Sequence, residues 1–307
     1  MAIQPSARTR PLIPAHLRRP AERGSAREFF SRLMRARLAG VGLIIVVLFT
    51  LLAILAPVIA PYSPTKQKVT NARMPPSAEN WLGTDELGRD TLSRVLYGGQ
   101  ISLQVGFVAV GIALLIGTAL GLIAGYWSNS SADQVIMRVM DGLLSFPALV
   151  LALAIVAGLG PSKQGEMPKA IWAIALVTIP AYARLTRGQV LSVRERDFVT
   201  AARTVGAADV RIIVRHILPN VTAPLIVQSS LGIAGAILTE AALSFLGLGV
   251  QPPTPSWGYM LAVGRSYLDL APWIVIGPGA AIFLTVLGFN FLGDGIRDVL
   301  DPTLRNS

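Results

Sequence analysis

Residue types that build many catalytic and metal-binding sites are scarce in this sequence. It contains no cysteine, so it can form neither a disulfide framework nor a thiolate metal site. Histidine occurs only at His16 and His216, and the zinc-protease pattern His-Glu-x-x-His is missing. These absences leave few side chains for a catalytic centre, and we expect no metal ion to be bound by this chain.

A nucleotide-binding loop is also missing. The Walker A motif that surrounds nucleotide phosphates ends in Gly-Lys followed by Ser or Thr, and no Gly-Lys pair occurs in the 307 residues. The chain is therefore not expected to be an enzyme by itself, nor to bind ATP or another cofactor.

Charge is sparse as well, whereas apolar residues are abundant. Charged residues make up 14% of the chain and hydrophobic residues 52%, with a mean hydropathy of +0.57. This composition indicates an all-α polytopic membrane protein with about six spans of roughly 20 residues each. The net charge of +10 comes from arginines beside apolar spans rather than from a basic soluble module, so nucleic acid is not an expected partner.

The apolar residues fall into separate segments. Residues 1–37 are expected to form a basic tail and then an elbow helix that lies on membrane lipid, and residues 38–60 form the first span. A cleaved signal peptide is the alternative for 38–60, but this apolar segment is too long for one. Residues 61–99 are polar and rich in proline and are expected outside the bilayer on the side opposite the N-terminus, as a periplasmic or extracellular segment. Residues 100–303 contain the other five spans.

The distribution of basic residues indicates an orientation. If the N-terminus lies inside, 19 of the 27 Lys and Arg residues lie on the inner side, which agrees with the positive-inside rule. Both termini and the loop 188–219 are then cytoplasmic.

Small residues and proline predict how two spans are shaped. Gly117, Gly121 and Gly125 stand four residues apart in the second span, so another helix should approach that face closely. Pro147 stands inside the third apolar segment and is expected to bend it.

A charged interval near residues 197–220 separates two apolar spans. Asp197 is expected to cap a short helix at 198–205, and Gly206 to provide the left-handed position at which that helix ends. Asp209 is expected to cap a second helix that Pro219 ends. The predicted apolar face of this second helix contains Val210, Ile213, Val214 and Ile217.

This interval resembles the EAA loop of ABC importer permeases. The matching residues are Thr200, Ala201, Ala202, Gly206, Ile217, Leu218 and Pro219. Thr200 stands where the family has an acidic residue. The resemblance implies that the loop, with Asp209 and Arg211, forms a coupling helix in a groove of a cytosolic ATPase. A plain amphipathic helix on the membrane surface is the alternative.

Three further segments are similar to dipeptide and oligopeptide permeases, in particular to their C-type subunit. They comprise residues 82–98, 251–258 and 293–302. The resemblance implies the type I ABC importer permease fold with six transmembrane helices, in the bacterial cytoplasmic membrane. It also implies a heterodimer with a second permease, two ATPase subunits that use ATP and Mg²⁺, and an outer peptide-binding protein. The same subfamily also serves glutathione and nickel-chelate uptake.

Acidic residues near apolar segments are candidates for the transport pathway. Asp141, with Ser145 and Pro147 nearby, either lies on the pathway or pairs with Arg138 at the inner surface, and we favour the pair. Glu240 lies deep in an apolar segment, where it either lines the pathway or makes a contact between permease subunits. An ion-coupled secondary transporter that uses these two acids is the alternative from another class, but it leaves the loop around Gly206 unexplained.

Overall fold

A computed structural model describes residues 33–34, 37–160 and 166–300. Regular structure in these residues is helical, apart from one isolated bridge between Thr84 and Asp90. The helices are α1 (Arg37–Ile54), α2 (Ala56–Ile59), α3 (Thr91–Tyr126), α4 (Ser131–Leu144), α5 (Ala148–Gly158), α6 (Glu166–Val193), α7 (Asp197–Thr204), α8 (Asp209–Ile212), α9 (Leu218–Phe245), α10 (Trp257–Gly264) and α11 (Trp273–Leu300). Nearly all of the predicted tail and elbow helix, 1–37, lies outside the described residues.

The expected count of six spans is not confirmed. Three helical segments in the described part of the chain are long and apolar enough to cross a membrane, or four if the bent pair α4–α5 counts as one. The first predicted span, 38–60, is divided at Leu55, and its apolar helix is too short to be counted. Helix α6 has 28 residues but is not among those that are apolar enough.

The third apolar segment is broken rather than gently bent. Helices α4 and α5 meet at 95°. Ser145 ends α4, with its hydroxyl donating to the Gly142 carbonyl at 2.7 Å, and Pro147 precedes the first residue of α5. The predicted bend at Pro147 is thus confirmed, because proline disfavours the helical conformation in the residue before it.

Helices α3 and α6 pack with little space between their backbones, as the glycine spacing predicts. A Cβ atom on Gly117 would lie 2.6 Å from Tyr182 Cβ, and one on Gly125 would lie 2.6 Å from Val190 Cβ. At Gly121 the nearest atoms would be the Ala183 carbonyl oxygen and Thr186 Cβ, both at 2.5 Å. Only glycine leaves room for this approach.

The polar segment that precedes α3 is anchored by buried charges. Asp90 precedes the first residue of α3, and its carboxylate accepts from the Ser93 amide at 2.7 Å, which caps the helix. Asp85 pairs with Arg89 at 2.6 Å and with Arg94 at 3.2 Å, and all three side chains are buried. This cluster fixes the segment to the start of α3.

Candidate functional site

A sharp elbow joins α7 to α8, and its geometry follows from one glycine. Gly206 has φ of +76°. At the end of α7, the Gly206 amide donates to Arg203 O at 2.9 Å and the Ala207 amide to Ala202 O at 3.1 Å. This is the helix-ending arrangement that requires a left-handed residue, so the predicted short helix and its glycine end are confirmed.

The capping roles predicted for two aspartates are wrong. Asp197 and Asp209 are the first residues of α7 and α8, and the capping positions belong to Arg196 and Ala208, which make no side-chain capping bond. Negative charge in the first turn is still favourable because it faces the positive end of the helix dipole.

Pro219 does not end the second helix. The chain passes from α8 through a π turn, Ile213–Ile217, into α9, and 209–245 form one candidate span. Pro219 lies in the first turn of α9. A π turn changes the local hydrogen-bond pattern, and proline is tolerated at the start of a helix, where its missing amide hydrogen has no partner to lose.

Only part of the apolar face predicted for the second helix is buried. Ile212 and Ile217 are fully buried, whereas Val210 and Val214 are 70% and 57% exposed. The wider π turn places residues five apart on the same side and so rotates the pattern away from regular helical spacing. Val205 at the elbow is 83% exposed, and Phe198 on α7 is 39% exposed. We call Phe198, Val205, Val210 and Val214 the elbow surface.

Most of the remaining loop residues predicted from the resemblance are exposed. Thr200, Ala201, Asp209, Arg211 and Pro219 are exposed, Leu218 is half-buried, and Ala202 is packed inside. Exposure of most of these side chains means that they are not needed to hold the chain's own core.

The end of α3 holds the elbow in place through contacts that the sequence did not predict. The Tyr126 hydroxyl donates to Asp209 Oδ1 at 2.6 Å, and the Arg203 guanidinium lies 5.3 Å from the centre of the Tyr126 ring. Arg194 Nη1 donates to the Gly125 carbonyl at 3.1 Å and to Ser128 Oγ at 2.6 Å. Tyr126 and Asp209 are 83 residues apart, so no local pattern could have revealed this link.

Tyr126→Phe should loosen the elbow without unfolding the protein. It removes one hydrogen bond to a carboxylate, at a cost of about 1 kcal/mol, because the site is partly exposed. We expect amide hydrogen exchange at 205–212 to rise about fivefold. Tyr97→Phe on the same helix is the control, since the Tyr97 hydroxyl makes none of the described hydrogen bonds. Equal exchange in both variants would contradict a role for the Tyr126 link.

Glu240 lies inside the chain, between α9 and α3. It is fully buried, and its carboxylate accepts from Ser102 Oγ at 2.9 Å and from Ser244 Oγ at 2.7 Å. These contacts are intramolecular, so in this structure Glu240 faces neither open space nor a free surface. A part in transport stays a prediction.

Asp141 pairs with a different arginine from the one expected. Its carboxylate lies 3.0 Å from the guanidinium of Arg184 on α6, so the preferred pair with Arg138 is wrong. The neighbouring Ser145 and Pro147 form the break between α4 and α5. In the described residues no group of three His, Asp or Glu side chains could hold a metal ion.

Two family models match the chain. The model described as the binding-protein-dependent transport system inner membrane component covers residues 117–306, and the one described as the N-terminal TM domain of oligopeptide transport permease C covers 25–76.

Curated relatives are similar over most of their length. The dipeptide transport system permease protein DppC of Alkalihalophilus pseudofirmus is 51% identical, over 91% of this chain and 90% of the relative. The di/tripeptide transport system permease protein DppC of Pseudomonas aeruginosa is 48% identical, over 92% and 93%. The glutathione transport system permease protein GsiD of Pectobacterium atrosepticum is 44% identical, over 91% and 92%.

The fold is shared with a solved transporter chain. An inward-facing structure of the MetNI methionine ABC transporter superposes with a TM-score of 0.57 at 18% identity, covering 68% of this chain and 98% of that one. The expected type I importer permease architecture is thereby supported at the level of the fold. Together with the match over 117–306, these similarities show that the chain belongs to the family of binding-protein-dependent transport system inner membrane components, the non-catalytic permease subunits of ABC importers.

Proposed function

We propose that this permease carries di- and oligopeptides across the bacterial cytoplasmic membrane in an ATP-driven complex. Support for peptides as the transported substrate comes from two relatives, 51% and 48% identical, that are named dipeptide and di/tripeptide permeases. The proposed complex contains this chain, a second related permease, two ATPase subunits that bind ATP and Mg²⁺, and an outer peptide-binding protein. This chain itself binds no nucleotide in the proposal.

The observation that carries the proposal is the elbow surface. Four apolar side chains stand exposed on and beside a glycine-ended helix. Exposed apolar side chains grouped along one short segment mark contacts with another protein or with membrane. We propose that the elbow surface docks on an ATPase subunit, and that the link from Tyr126 to Asp209 transmits the movement to α3.

The proposed topology has six spans with both termini in the cytoplasm. Helix α1, which is short, and helix α6, which is less apolar, would cross the bilayer beside the more apolar helices. Close packing of α6 on α3 supports this arrangement for α6, because a helix covered by neighbours needs less apolar surface toward lipid.

Isolation of the complex tests the proposal. The chain would be purified gently from its native membrane, its partners identified by mass, and ATP hydrolysis measured with the binding protein and dialanine. We expect two ATPase subunits, a second permease and peptide-stimulated hydrolysis. A chain that moves solute in vesicles without ATP would overturn the proposal.

Val210→Asp should separate this permease from its ATPase. The side chain is 70% exposed, so the substitution leaves the chain's own packing unchanged but places a charge in the proposed contact. We expect the amount of ATPase recovered with the permease to fall at least tenfold. Val69→Asp, at a 67% exposed position in the segment before α3, is the matched control. Equal recovery with both variants would count against docking at the elbow.

Glutathione is the second candidate substrate, because a glutathione permease is 44% identical over 91% of the chain. Adding glutathione in place of dialanine in the hydrolysis assay distinguishes the two. Stimulation by glutathione alone would favour the second candidate.

A further inference from the structure

A groove of about 780 Å³ opens between α4 and α6. Five charged side chains line it, namely Asp133, Arg138, Asp141, Arg184 and Arg187. Three arginines and two aspartates leave one positive charge in excess. We call this cavity the inner groove, and charged groups that converge on a cavity make it a candidate binding site.

The deeper pair of charges is fixed by the structure. Arg187 Nε and Nη2 donate to the two Asp133 carboxylate oxygens at 2.7 and 2.8 Å. Asp133 also accepts from the Asn129 amide at 2.9 Å and is only 3% exposed. A bidentate pair with this much support holds α4 against α6 and is not available to a ligand.

The outer charges of the groove are held loosely. Asp141 and Arg184 make a single contact at 3.0 Å, and their side chains are 50% and 56% exposed. Arg138 is exposed and makes none of the ion pairs found in the described residues. An exposed ion pair of this kind contributes only about 0–1 kcal/mol, so a charged ligand can replace it at small cost.

Arg138 and Asp141 can reach the two ends of one dipeptide. They are three residues apart on α4, so their side chains start about 5–6 Å apart, measured between Cβ atoms. The ammonium and carboxylate groups of an extended dipeptide are at most about 7 Å apart. A volume of about 780 Å³ also leaves space for the peptide's own side chains.

We propose that the inner groove binds a dipeptide by its termini, with Asp141 accepting from the α-ammonium group and Arg138 donating to the α-carboxylate, joined there by Arg184 once its contact with Asp141 opens. This inference rests on the proposed function in peptide import. Recognition of the termini leaves the peptide side chains free in the open volume, so one site accepts many sequences.

The groove is also connected to the elbow. Arg187 lies in α6, which ends at Val193, and the next residue, Arg194, donates to Ser128 in the loop that precedes α4. Asn129 in that loop donates to Asp133 at the base of the groove. These contacts connect both walls of the groove to the segment that leads into α7.

Photo-crosslinking tests the site in the complete complex, reconstituted in nanodiscs without nucleotide. The probe is a dipeptide of alanine and photo-leucine, compared with its N-acetyl form and its C-terminal amide. We expect the free dipeptide to label residues 134–141 or 184–188, and each capped form to label them about tenfold less at the same concentration. Labelling confined to other segments would overturn the inference.

Variants separate binding of the termini from a structural role. In the Asp141→Asn variant, the free and N-acetyl dipeptides should label the groove equally, and the amide should still label it less. In the double variant Arg138→Gln/Arg184→Gln, the free dipeptide and the amide should label the groove equally, and the N-acetyl form should still label it less. Asp298→Asn and Arg297→Gln, at exposed positions on α11, are matched controls that should retain both preferences. If the groove variants reduce labelling by all three probes equally, the ion pair is structural and the inference is wrong.

Failure of this inference can be told apart from failure of the proposed function. If the complex without substitutions takes up dialanine with ATP but is labelled only outside the groove, the proposed function stands and the proposed site is wrong. If the complex takes up no peptide, both proposals are wrong.

Discussion

Gly121→Leu is expected to prevent stable packing of α3 against α6. Even a Cβ atom would lie 2.5 Å from the Ala183 carbonyl oxygen and from Thr186 Cβ, and neither is the end of a flexible side chain. Overpacking typically costs about 1–3 kcal/mol, and contact with backbone places this site at about 3 kcal/mol. The measurement is thermal unfolding in detergent, together with the yield of folded protein in the membrane.

Gly111→Leu is the matched control because it lies in the same helix and a Cβ there would meet no atom within 4 Å. Both substitutions change helix propensity and hydrophobicity equally, so their difference isolates the close approach of the helices. If the two variants unfold at the same temperature, α3 and α6 are not packed as described.

Gly206→Val is expected to uncouple ATP hydrolysis from peptide uptake in the reconstituted complex. A residue with φ of +76° and a β-branched side chain is strained, at a cost of about 1–3 kcal/mol. The elbow would shift to relieve the strain and would misplace Val205 and Val210. We expect uptake per ATP hydrolysed to fall at least tenfold, while membrane insertion is unchanged.

Two smaller changes distinguish backbone strain from crowding at the docking surface. Asparagine tolerates the left-handed conformation better than alanine does, although its side chain is larger. If strain is the cause, Gly206→Asn should retain more coupled uptake than Gly206→Ala. The opposite order would show that the space beside Gly206, empty in this chain, is filled by a partner.

Local patterns identified the features that depend on neighbouring residues. Gly206 and the short helix before it were predicted because helix-ending signals act over a few positions. The break at Pro147 and the close face at Gly117, Gly121 and Gly125 follow from backbone sterics and side-chain size, which are also readable from spacing.

Errors arose where hydrogen bonding or packing overrode the local pattern. Regular helical spacing placed Val210, Val214 and Ile217 on one apolar face, but around the π turn Ile217 is buried with Ile212 while the two valines are exposed. Pro219 was expected to end a helix, yet it lies in the first turn of α9, where its missing amide hydrogen is tolerated. Asp141 was assigned a partner on its own helix, whereas the partner lies on α6.

The sequence alone indicated a helical membrane protein with a glycine elbow, because composition, charge distribution and short-range signals express those properties directly, and its resemblance to permease motifs indicated the family. The tertiary structure decided which side chains meet across the chain: Tyr126 with Asp209, Asp133 with Arg187, and Glu240 with Ser102. These pairs are separated by 83, 54 and 138 residues. Their contact depends on how the helices pack, and no spacing within one helix records it.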